Sequence, residues 1–396
     1  MGRLHDRMKK TGLKGPMALY GQIKRCAYGV LPRLPVCRNK IIFDNFVGKG
    51  FGDDPKYIAL ELLKRKRRLK MYWVLKNPDD PLPKGVRPLK PFGFLTAYHY
   101  STAKVWIDNV KNYEKPDKKP QQYYIQTWHS TLGFKQNEAD ALTLDEEYVA
   151  QSKRDAAQTD LMYSDNDFRL DKYRNRYWYS GEVIKCGVPR MSPLYERPEQ
   201  IIRKVRETFG LGNEQIALYA PTFRDGARYA DYAMDVQRCI GALEKRFAGE
   251  PFVLLVRLHP NEYRRYGSVQ GTGGSVRDAS AYPDMQELLA AADVLITDYS
   301  GCMFDFGFVG KPAFLFTKDF EHYRSSERGV YFSIEETPFS RADTDEELER
   351  NILGFSQEAY EERCEAFRRR VGYSDDGSGS RVLADLILEK MGREDK

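Results

Sequence analysis

From residue 40 onward, short apolar runs alternate with longer stretches of helical periodicity, and this alternation limits the fold more than any other feature. The first runs lie at 41–43, 69–75, 123–125 and 161–163. Each run has the length of a strand and is followed by polar turn residues, and a helical pattern at 55–67 separates the first two. This order predicts a parallel sheet covered by helices.

The pattern pauses near residue 188 and then starts again. A helix is predicted at 198–209, and further strands at 215–219, 253–256, 293–297 and 313–316. A chain of 396 residues exceeds the usual size of one domain. We therefore expect an α/β protein with two Rossmann-type, doubly wound parallel-sheet domains facing a cleft. The predicted divisions are a basic amphipathic segment (1–38), an N-terminal domain (39–187) and a C-terminal domain that ends in helices (188–396).

The basic residues are concentrated at the N-terminus. Residues 1–40 hold ten of the 63 lysines and arginines but a single acid, Asp6. Apolar residues such as Leu13, Met17 and Ile23 lie between these cations, a combination typical of a segment that binds an anionic membrane surface. A solvated tail is the alternative. The longest apolar runs are strand-sized, so no bilayer-spanning helix is predicted.

Three weaker signals bear on metals and nucleic acids. The six cysteines are scattered without a C-x-x-C pair, which argues against a zinc site and a disulfide framework. The D-x-D pattern at 165–167 fits a metal site or a helix cap, and we predict no metal. The basic cluster at 64–68 fits nucleic-acid binding or a solvated helix end, and we favour the helix end.

The stretch after the predicted strand at 293–297 is the most suggestive of chemistry. Thr297, Asp298, Ser300 and Gly301 lie in the turn, and a helix is predicted to begin near Ser300. The unpaired N–H groups of a helix N-terminus form a favourable phosphate site. Thr297, Ser300 and the Gly301 backbone are thus candidates to hold a diphosphate, whereas simple capping by Asp298 or Ser300 is the alternative.

Other cations and imidazoles also follow predicted strands. Arg224, Arg257 and His259 lie at strand ends of the second half, and His129, next to Trp128, lies at a strand end of the first half. Carboxyl ends of parallel strands meet at the ligand-binding edge of a sheet. Histidine is a natural general base for an alcohol nucleophile. A structural histidine is the alternative at both positions.

Taken together, these segments resemble the CDP-glycerol glycerophosphotransferase family of teichoic-acid primases and polymerases. The resemblance covers most of residues 40–335. Its motifs are FDNFVGK at 43–49, DPK at 54–56, QTWH at 126–129, GFK at 133–135, GVPR at 187–190, APTFR at 220–224, RLHP at 257–260, and TDYS at 297–300 with Asp305.

The resemblance implies a GT-B-type fold, a CDP-glycerol or related CDP-alditol donor, and no required metal or cofactor. It also implies a lipid-linked polymer acceptor and peripheral attachment to the cytoplasmic face of the cell membrane. His129 and His259 are then the catalytic candidates. Arg224, Arg257, Thr297, Asp298, Ser300 and Gly301 are the donor or phosphate-binding candidates, and Trp128, Lys135, Pro189, Arg190 and Asp305 are further cleft candidates.

Two departures from the family pattern leave the alditol and the acceptor open. Ser130 stands where the family often has Gly or Ala, and Met191-Ser192 stands where it often has Asn-Asp. A glycosyltransferase that uses a nucleotide sugar is the alternative enzyme, and a nucleic-acid-binding protein is the alternative from another class. Beyond residue 40 the chain has no basic excess, so we expect no nucleic-acid partner; the oligomeric state is open.

Overall fold

Two sheets, parallel throughout their named strands, organise the computed structural model of the chain. The structure describes residues 30–65, 67–111, 115–142, 144–224, 233–247, 251–267, 273–320 and 329–392. Most of the predicted N-terminal basic segment, residues 1–29, lies outside the described residues. No helix within these described ranges combines the length and the hydropathy needed to span a bilayer.

The first sheet has seven strands and is accompanied by four helices. The strands are β1 (Cys37–Asp44), β2 (Lys70–Val74), β3 (Val86–Leu89), β4 (Ala103–Asp108), β5 (Tyr123–Gln126), β6 (Leu161–Ser164) and β7 (Glu182–Lys185). The helices are α1 (Asp53–Lys64), α2 (Phe94–Thr102), α3 (Glu146–Gln158) and α4 (Asp167–Arg176). The strand order is β3-β2-β1-β4-β5-β6-β7, so the winding direction reverses between β1 and β4.

The second sheet repeats this plan with six strands. These are β8 (Gln215–Ala220), β9 (Phe252–Val256), β10 (Val276–Asp278), β11 (Val294–Thr297), β12 (Ala313–Phe316) and β13 (Ser340–Ala342), in the order β10-β9-β8-β11-β12-β13. The helices are α5 (Ser192–Glu196), α6 (Glu199–Phe209), α7 (Val236–Arg246), α8 (Pro260–Tyr266), α9 (Met285–Ala291), α10 (Cys302–Phe308), α11 (Asp345–Leu353), α12 (Gln357–Val371) and α13 (Gly379–Lys390).

Hydrophobic burial explains why these segments form strands. All five residues of β9 are buried, as expected for a central parallel strand covered on both faces. The helix that follows β1 has two acids in its first turn and Lys64 in its last, which suits the helix dipole. The predicted α/β fold with two parallel-sheet halves in a GT-B-like arrangement is confirmed, and ligands are expected where each strand order reverses.

The C-terminal helix returns to the first half of the chain and packs beside the connection between the two halves. Helix α13 packs against α1, and Asp385 of α13 lies 3.1 Å from Arg65. At the crossing, Gly187 and Gly379 approach so closely that a Cβ atom on Gly379 would lie 2.1 Å from the Gly187 carbonyl oxygen. Only glycine fits at such a backbone contact.

This contact predicts a specific loss of stability. Gly379→Ala should lower the free energy of unfolding by about 2–3 kcal/mol, because backbone atoms must move to admit the methyl group. Gly241→Ala is the matched control, since no atom lies within 4 Å of its added Cβ in the middle of α7. It should raise stability by about 0.5–1 kcal/mol. Urea denaturation measures the free energy of unfolding of both variants. Equal changes in the two variants would contradict the close backbone contact between Gly187 and Gly379.

Candidate active site

The imidazole of His129 is held in one tautomer at the carboxyl edge of the first sheet. Its Nδ1 atom lies 2.8 Å from the backbone oxygen of Asn109. A carbonyl oxygen only accepts hydrogen bonds, so Nδ1 carries the proton and Nε2 keeps its lone pair. Burial lowers the pKa of His129 below its ordinary 6.5. The side chain is therefore a neutral base at neutral pH.

Aromatic rings and a strained backbone surround this imidazole. The His129 ring stacks on Trp128 at 4.4 Å and lies 5.3 Å from the Phe46 ring, between centroids. Trp128 has φ 56°, Phe46 has φ 47° and nearby Asp53 has φ 55°, all in the left-handed region. Such conformations cost about 1–3 kcal/mol each and are concentrated at functional sites. The cleft candidate Trp128 is thus a wall of the His129 site.

The residue that orients His129 is itself fixed by three hydrogen bonds. Asn109 Nδ2 donates to Asn45 Oδ1 and to Asp53 Oδ2, both at 2.8 Å. Asn109 Oδ1 accepts from the Phe46 N–H at 2.8 Å. The loops after β1 and β4 therefore meet at the buried side-chain amide of Asn109. The backbone oxygen of the same residue sets the His129 tautomer.

Arg190 connects this arrangement to the second half of the chain. It belongs to a short 3₁₀ turn, Pro189–Met191, and its side chain is 9% exposed. Its Nη1 lies 3.4 Å from Asp53 Oδ1, and its Nη2 lies 3.0 Å from Asp305 Oδ1 in α10. Burial alone would lower the pKa of Arg190, but Asp305 and Asp53 outweigh burial and raise it.

The same guanidinium also holds the loop that follows His129. Arg190 Nη2 donates to Thr131 Oγ1 at 2.8 Å, and Thr131 in turn donates to Asp305. The second Asp305 oxygen accepts from Gln286 Nε2 at 3.0 Å. The cleft candidates Arg190 and Asp305 therefore form one buried ion pair that joins both sheets, and Pro189 starts the turn that carries it.

His259 has the opposite tautomer. It precedes the first turn of α8, and its Nδ1 accepts a hydrogen bond from the Asn261 N–H at 3.2 Å. Nε2 then carries the proton. Burial, followed by the positive charges of Lys135 and Lys49 from the first half, lowers the pKa of His259 to about 4. This geometry favours an N–H donor toward an anion, while its catalytic role stays a prediction.

Two further cations lie at the same edge. Arg257 donates from Nη1 to the Tyr282 carbonyl oxygen at 2.6 Å, and no carboxylate pairs with it in the described part of the chain. Burial lowers the pKa of Arg257, so a bound anion would stabilise its charged form. The backbone of Lys135 pairs with that of Val330, which attaches the loop after His129 to the second half.

The other candidates for binding the CDP donor fall into a buried group and a partly exposed group. Arg224 bonds Asp298 at 2.6 Å and Asp319 at 2.8 Å, and Thr297 Oγ1 donates to the Ala220 oxygen at 2.7 Å. These contacts hold the ends of β8 and β11 together.

Ser300 and Gly301 are partly exposed, and Ser300 Oγ accepts from the Cys302 N–H at 3.4 Å. The helix begins at Cys302, two residues after the predicted start. The phosphate-binding roles of both groups stay predictions.

The alternative metal and nucleic-acid signals have structural explanations. Asp165 is fully buried, Asn166 caps α4, and Asp167 pairs with Lys185 at 2.8 Å. No group of three metal-ligating side chains occurs within the described ranges. In the basic cluster at 64–68, Lys64 and Arg65 pair with Glu61 on the same helix.

The sequence did not assign a role in the site to the residues that support the predicted ones, although Asn45 lies within the motif at 43–49. Asn45, Asp53, Asn109, Thr131 and Gln286 all bond within the network described above. Asn109 directly follows the unpredicted strand β4, so recognising 103–108 as a strand would have exposed it as another polar residue at a strand end. The others make contacts between distant parts of the chain that no local pattern announces.

A neutral imidazole at the carboxyl edge of one nucleotide-type half, with Lys49 and Lys135 of that half close enough to lower the pKa of His259 in the other, is typical of a transferase that acts on a nucleotide-activated donor. The sequence matches the family model "CDP-Glycerol:Poly(glycerophosphate) glycerophosphotransferase" over residues 26–389. The chain belongs to this family, which confirms the resemblance found in the sequence.

Characterised relatives show the same family. The chain is 29% identical to the teichoic acid poly(glycerol phosphate) polymerase of Staphylococcus epidermidis over 88% of this chain and 50% of that protein. It therefore spans about half the length of that relative. It is 27% identical to the polymerase of the same name from Bacillus spizizenii over 96% of this chain and 100% of that protein.

A solved structure agrees with this relationship. The wall teichoic acid polymerase TagF, in a variant soaked with CDPG, superposes with a TM-score of 0.82 at 27% identity. The match covers 97% of each chain.

The two imidazoles should be distinguishable in solution. At neutral pH we expect the Nδ1–H tautomer at His129 and the Nε2–H tautomer at His259, because their neighbours accept and donate, respectively. Long-range ¹H–¹⁵N spectra, assigned with His129→Gln and His259→Gln, report both tautomers. Identical tautomers, or a doubly protonated His129 at neutral pH, would contradict this geometry.

Arg190→Met should strongly destabilise the protein. It leaves Asp53 and Asp305 buried without their cation, a change that costs about 3–5 kcal/mol in the free energy of unfolding. The control is Arg238→Met, which removes an exposed guanidinium that pairs with Glu349 at 3.1 Å, and it should leave stability nearly unchanged. Chemical denaturation measures both, and a small effect at Arg190 would remove it as the connection between the halves.

Proposed function

We propose that the chain transfers glycerol phosphate, or another alditol phosphate, from a CDP-alditol to a hydroxyl group of a lipid-linked wall teichoic acid or capsule polymer. The observation that carries the proposal is the unprotonated Nε2 of His129, set by the 2.8 Å contact with the Asn109 oxygen. Residues 188–396 would bind the CDP donor, and residues 39–187 would supply the base and receive the acceptor.

The proposed chemistry needs one proton acceptor and several phosphate contacts. The acceptor oxygen attacks the β-phosphorus, a new P–O bond forms, and the bond to CMP breaks. His129 Nε2 takes the proton of the attacking hydroxyl. His259 Nε2–H and the Arg257 guanidinium would donate to the diphosphate oxygens, where negative charge increases. Positioning and electrostatic stabilisation dominate the catalysis of such transfers.

Membrane attachment is supported by one exposed helix face. Phe94 is 65% exposed and Leu95 59% exposed at the start of α2, with Tyr98 one turn later. The turn Leu31–Arg33, which lies within the C-terminal part of the basic segment 1–38, packs against the same helix. Exposed apolar side chains beside a basic segment fit peripheral binding to the anionic cytoplasmic face of the membrane.

The proposed function and its alternatives can be distinguished by the nucleotide that the protein releases. A glycosyltransferase would release UDP from a nucleotide sugar, whereas the proposed reaction releases CMP from CDP-glycerol. Separate incubations with CDP-glycerol and UDP-sugars decide between them. A nucleic-acid-binding protein would release neither nucleotide and would bind RNA with a steep salt dependence.

His129→Ala should abolish most turnover and retain binding of CDP-glycerol. Loss of a positioned base reduces the rate by about 10²-fold or more. His259→Ala is the contrasting variant, and it should weaken donor affinity because it removes a phosphate contact. CMP release and calorimetric titration with CDP-glycerol measure the two effects. Wild-type turnover in His129→Ala would exclude His129 as the base.

The pH profile should follow the neutral form of His129. Burial lowers the pKa of His129 below 6.5, so the base is available above that pKa and becomes protonated as the pH falls through it. We expect kcat/KM to be level above pH 6.5 and to fall by about tenfold per pH unit below the His129 pKa. A half-maximal rate above pH 6.5 would contradict this assignment.

A further inference from the structure

One region of the first sheet carries cations without any acid of its own. Residues 81–107, which include β3, α2 and most of β4, contain Lys84, Arg87, Lys90 and Lys104 but no Asp or Glu. In the sheet register, Tyr72 lies between Ile42 of β1 and Arg87 of β3. Lys40 precedes Ile42 by two residues, so Lys40, Tyr72 and Arg87 share one face of the sheet, beneath α2.

Lys40 is a buried cation in this region without a carboxylate partner. The residue is 5% exposed, and its Nζ donates to Thr102 Oγ1 at 2.7 Å. The Nζ atom also lies 4.8 Å from the centre of the Tyr98 ring and 5.9 Å from that of Tyr72. Within the described ranges no acid pairs with it. A buried ammonium without a carboxylate is costly and is stabilised by any anion that reaches it.

His99 adds an unsatisfied polar atom to the same place. The residue is 7% exposed, its ring lies 3.9 Å from that of Tyr72 between centroids at an angle of 34°, and its buried Nδ1 has no hydrogen-bond partner in the described part of the chain. Burial, then the charges of Lys40 and Arg87, lower the pKa of His99 to about 4. Arg87 is exposed, and its guanidinium carbon lies 5.9 Å from the Tyr72 ring centre.

We propose that Lys40, Arg87 and His99 form a binding site for the phosphate of an anionic lipid headgroup at the base of α2. The inference rests on the membrane attachment proposed above and names the residues that select the lipid.

The apolar neighbours identify a lipid rather than a dissolved phosphate as the ligand. Phe94 and Leu95 would enter the acyl region, while the phenol of Tyr98, a residue type common at membrane interfaces, would lie at headgroup depth.

Lipid binding at this site would orient the cleft toward the membrane. Strand β3 runs parallel to β1, and α2 begins five residues after β3 ends at Leu89. The apolar start of α2 therefore lies toward the carboxyl edge of the sheet, which is also the edge that carries His129. A lipid-linked acceptor would then reach the cleft from the membrane surface into which Phe94 and Leu95 insert.

Vesicle sedimentation of the full chain tests the site. The variants are Lys40→Met and Arg87→Gln, and the matched control is Lys245→Gln, which removes an exposed cation from α7. On phosphatidylcholine vesicles containing phosphatidylglycerol, Arg87→Gln should bind about fivefold more weakly and Lys40→Met at least as weakly, since each cation near such a surface contributes about 1 kcal/mol. Binding to pure phosphatidylcholine should not change.

A second readout follows the site directly. The His99 pKa, measured by NMR, should rise when phosphatidylglycerol vesicles are added, because a bound phosphate offsets the charges of Lys40 and Arg87. Inorganic phosphate and pure phosphatidylcholine are the comparison arms. A rise with inorganic phosphate alone would overturn the lipid assignment. Because Arg87 is exposed, Arg87→Gln keeps the test valid if Lys40→Met does not fold.

Failure of this inference is separable from failure of the proposed reaction. CMP release from CDP-glycerol in solution should be the same in Arg87→Gln and in the wild type. Equal vesicle binding by Arg87→Gln, Lys40→Met and Lys245→Gln would overturn the headgroup site while leaving the transfer reaction intact. Absence of CMP release in the wild type would overturn the reaction, whatever the vesicles show.

Discussion

The structure depends on one buried guanidinium. Arg190 lies in the turn between the two halves and pairs with Asp53 of the first and Asp305 of the second. A buried cation of this kind is tolerated only while its carboxylates remain in place, so the two sheets are held in one relative orientation. Because Thr131 shares the same guanidinium, the loop that carries His129 is fixed by the interaction that fixes the halves.

The chemistry of the site follows from neighbours rather than from residue type. His129 and His259 are both imidazoles at strand ends, yet one faces a carbonyl oxygen and the other a backbone N–H. These single contacts give the two rings opposite tautomers, which suit the opposite uses that we propose for them, as a base and as a donor. Loss of hydration lowers the pKa of both rings, helped at His259 by nearby positive charges, and Trp128, which precedes His129, has a left-handed φ of 56°.

The sequence predicted the buried strands well because both of their faces are apolar. It missed edge strands such as β3, where Arg87 and Pro88 are exposed, and it missed β4, because no Gly or Pro separates that strand from α2. It also grouped Arg224 with Arg257, since each follows a strand. Their partners differ, because Arg224 bonds Asp298 and Asp319 whereas Arg257 donates to the Tyr282 carbonyl oxygen. The partner that a side chain finds after a strand is decided by residues distant in the sequence, which a local pattern does not show.

The buried cations of this chain fall into two physical classes. Lys56 pairs with Asp284 and Glu287, and Lys115 pairs with Asp108 and Asp155, so their charges are neutralised inside the fold. Lys40 is buried and Arg257 partly buried, but neither forms an ion pair with a carboxylate among the described residues, although the charge of Asp284 acts on Arg257. A buried cation without an ion pair lowers stability unless hydrogen bonds or a bound anion compensate, and we propose bound anions at Lys40 and Arg257. The fully buried Arg169 instead bonds Tyr177 and the Leu132 oxygen. Arg257 directly follows β9, where we propose that the diphosphate binds, and Lys40 lies beneath the C-terminal part of α2, where it bonds Thr102.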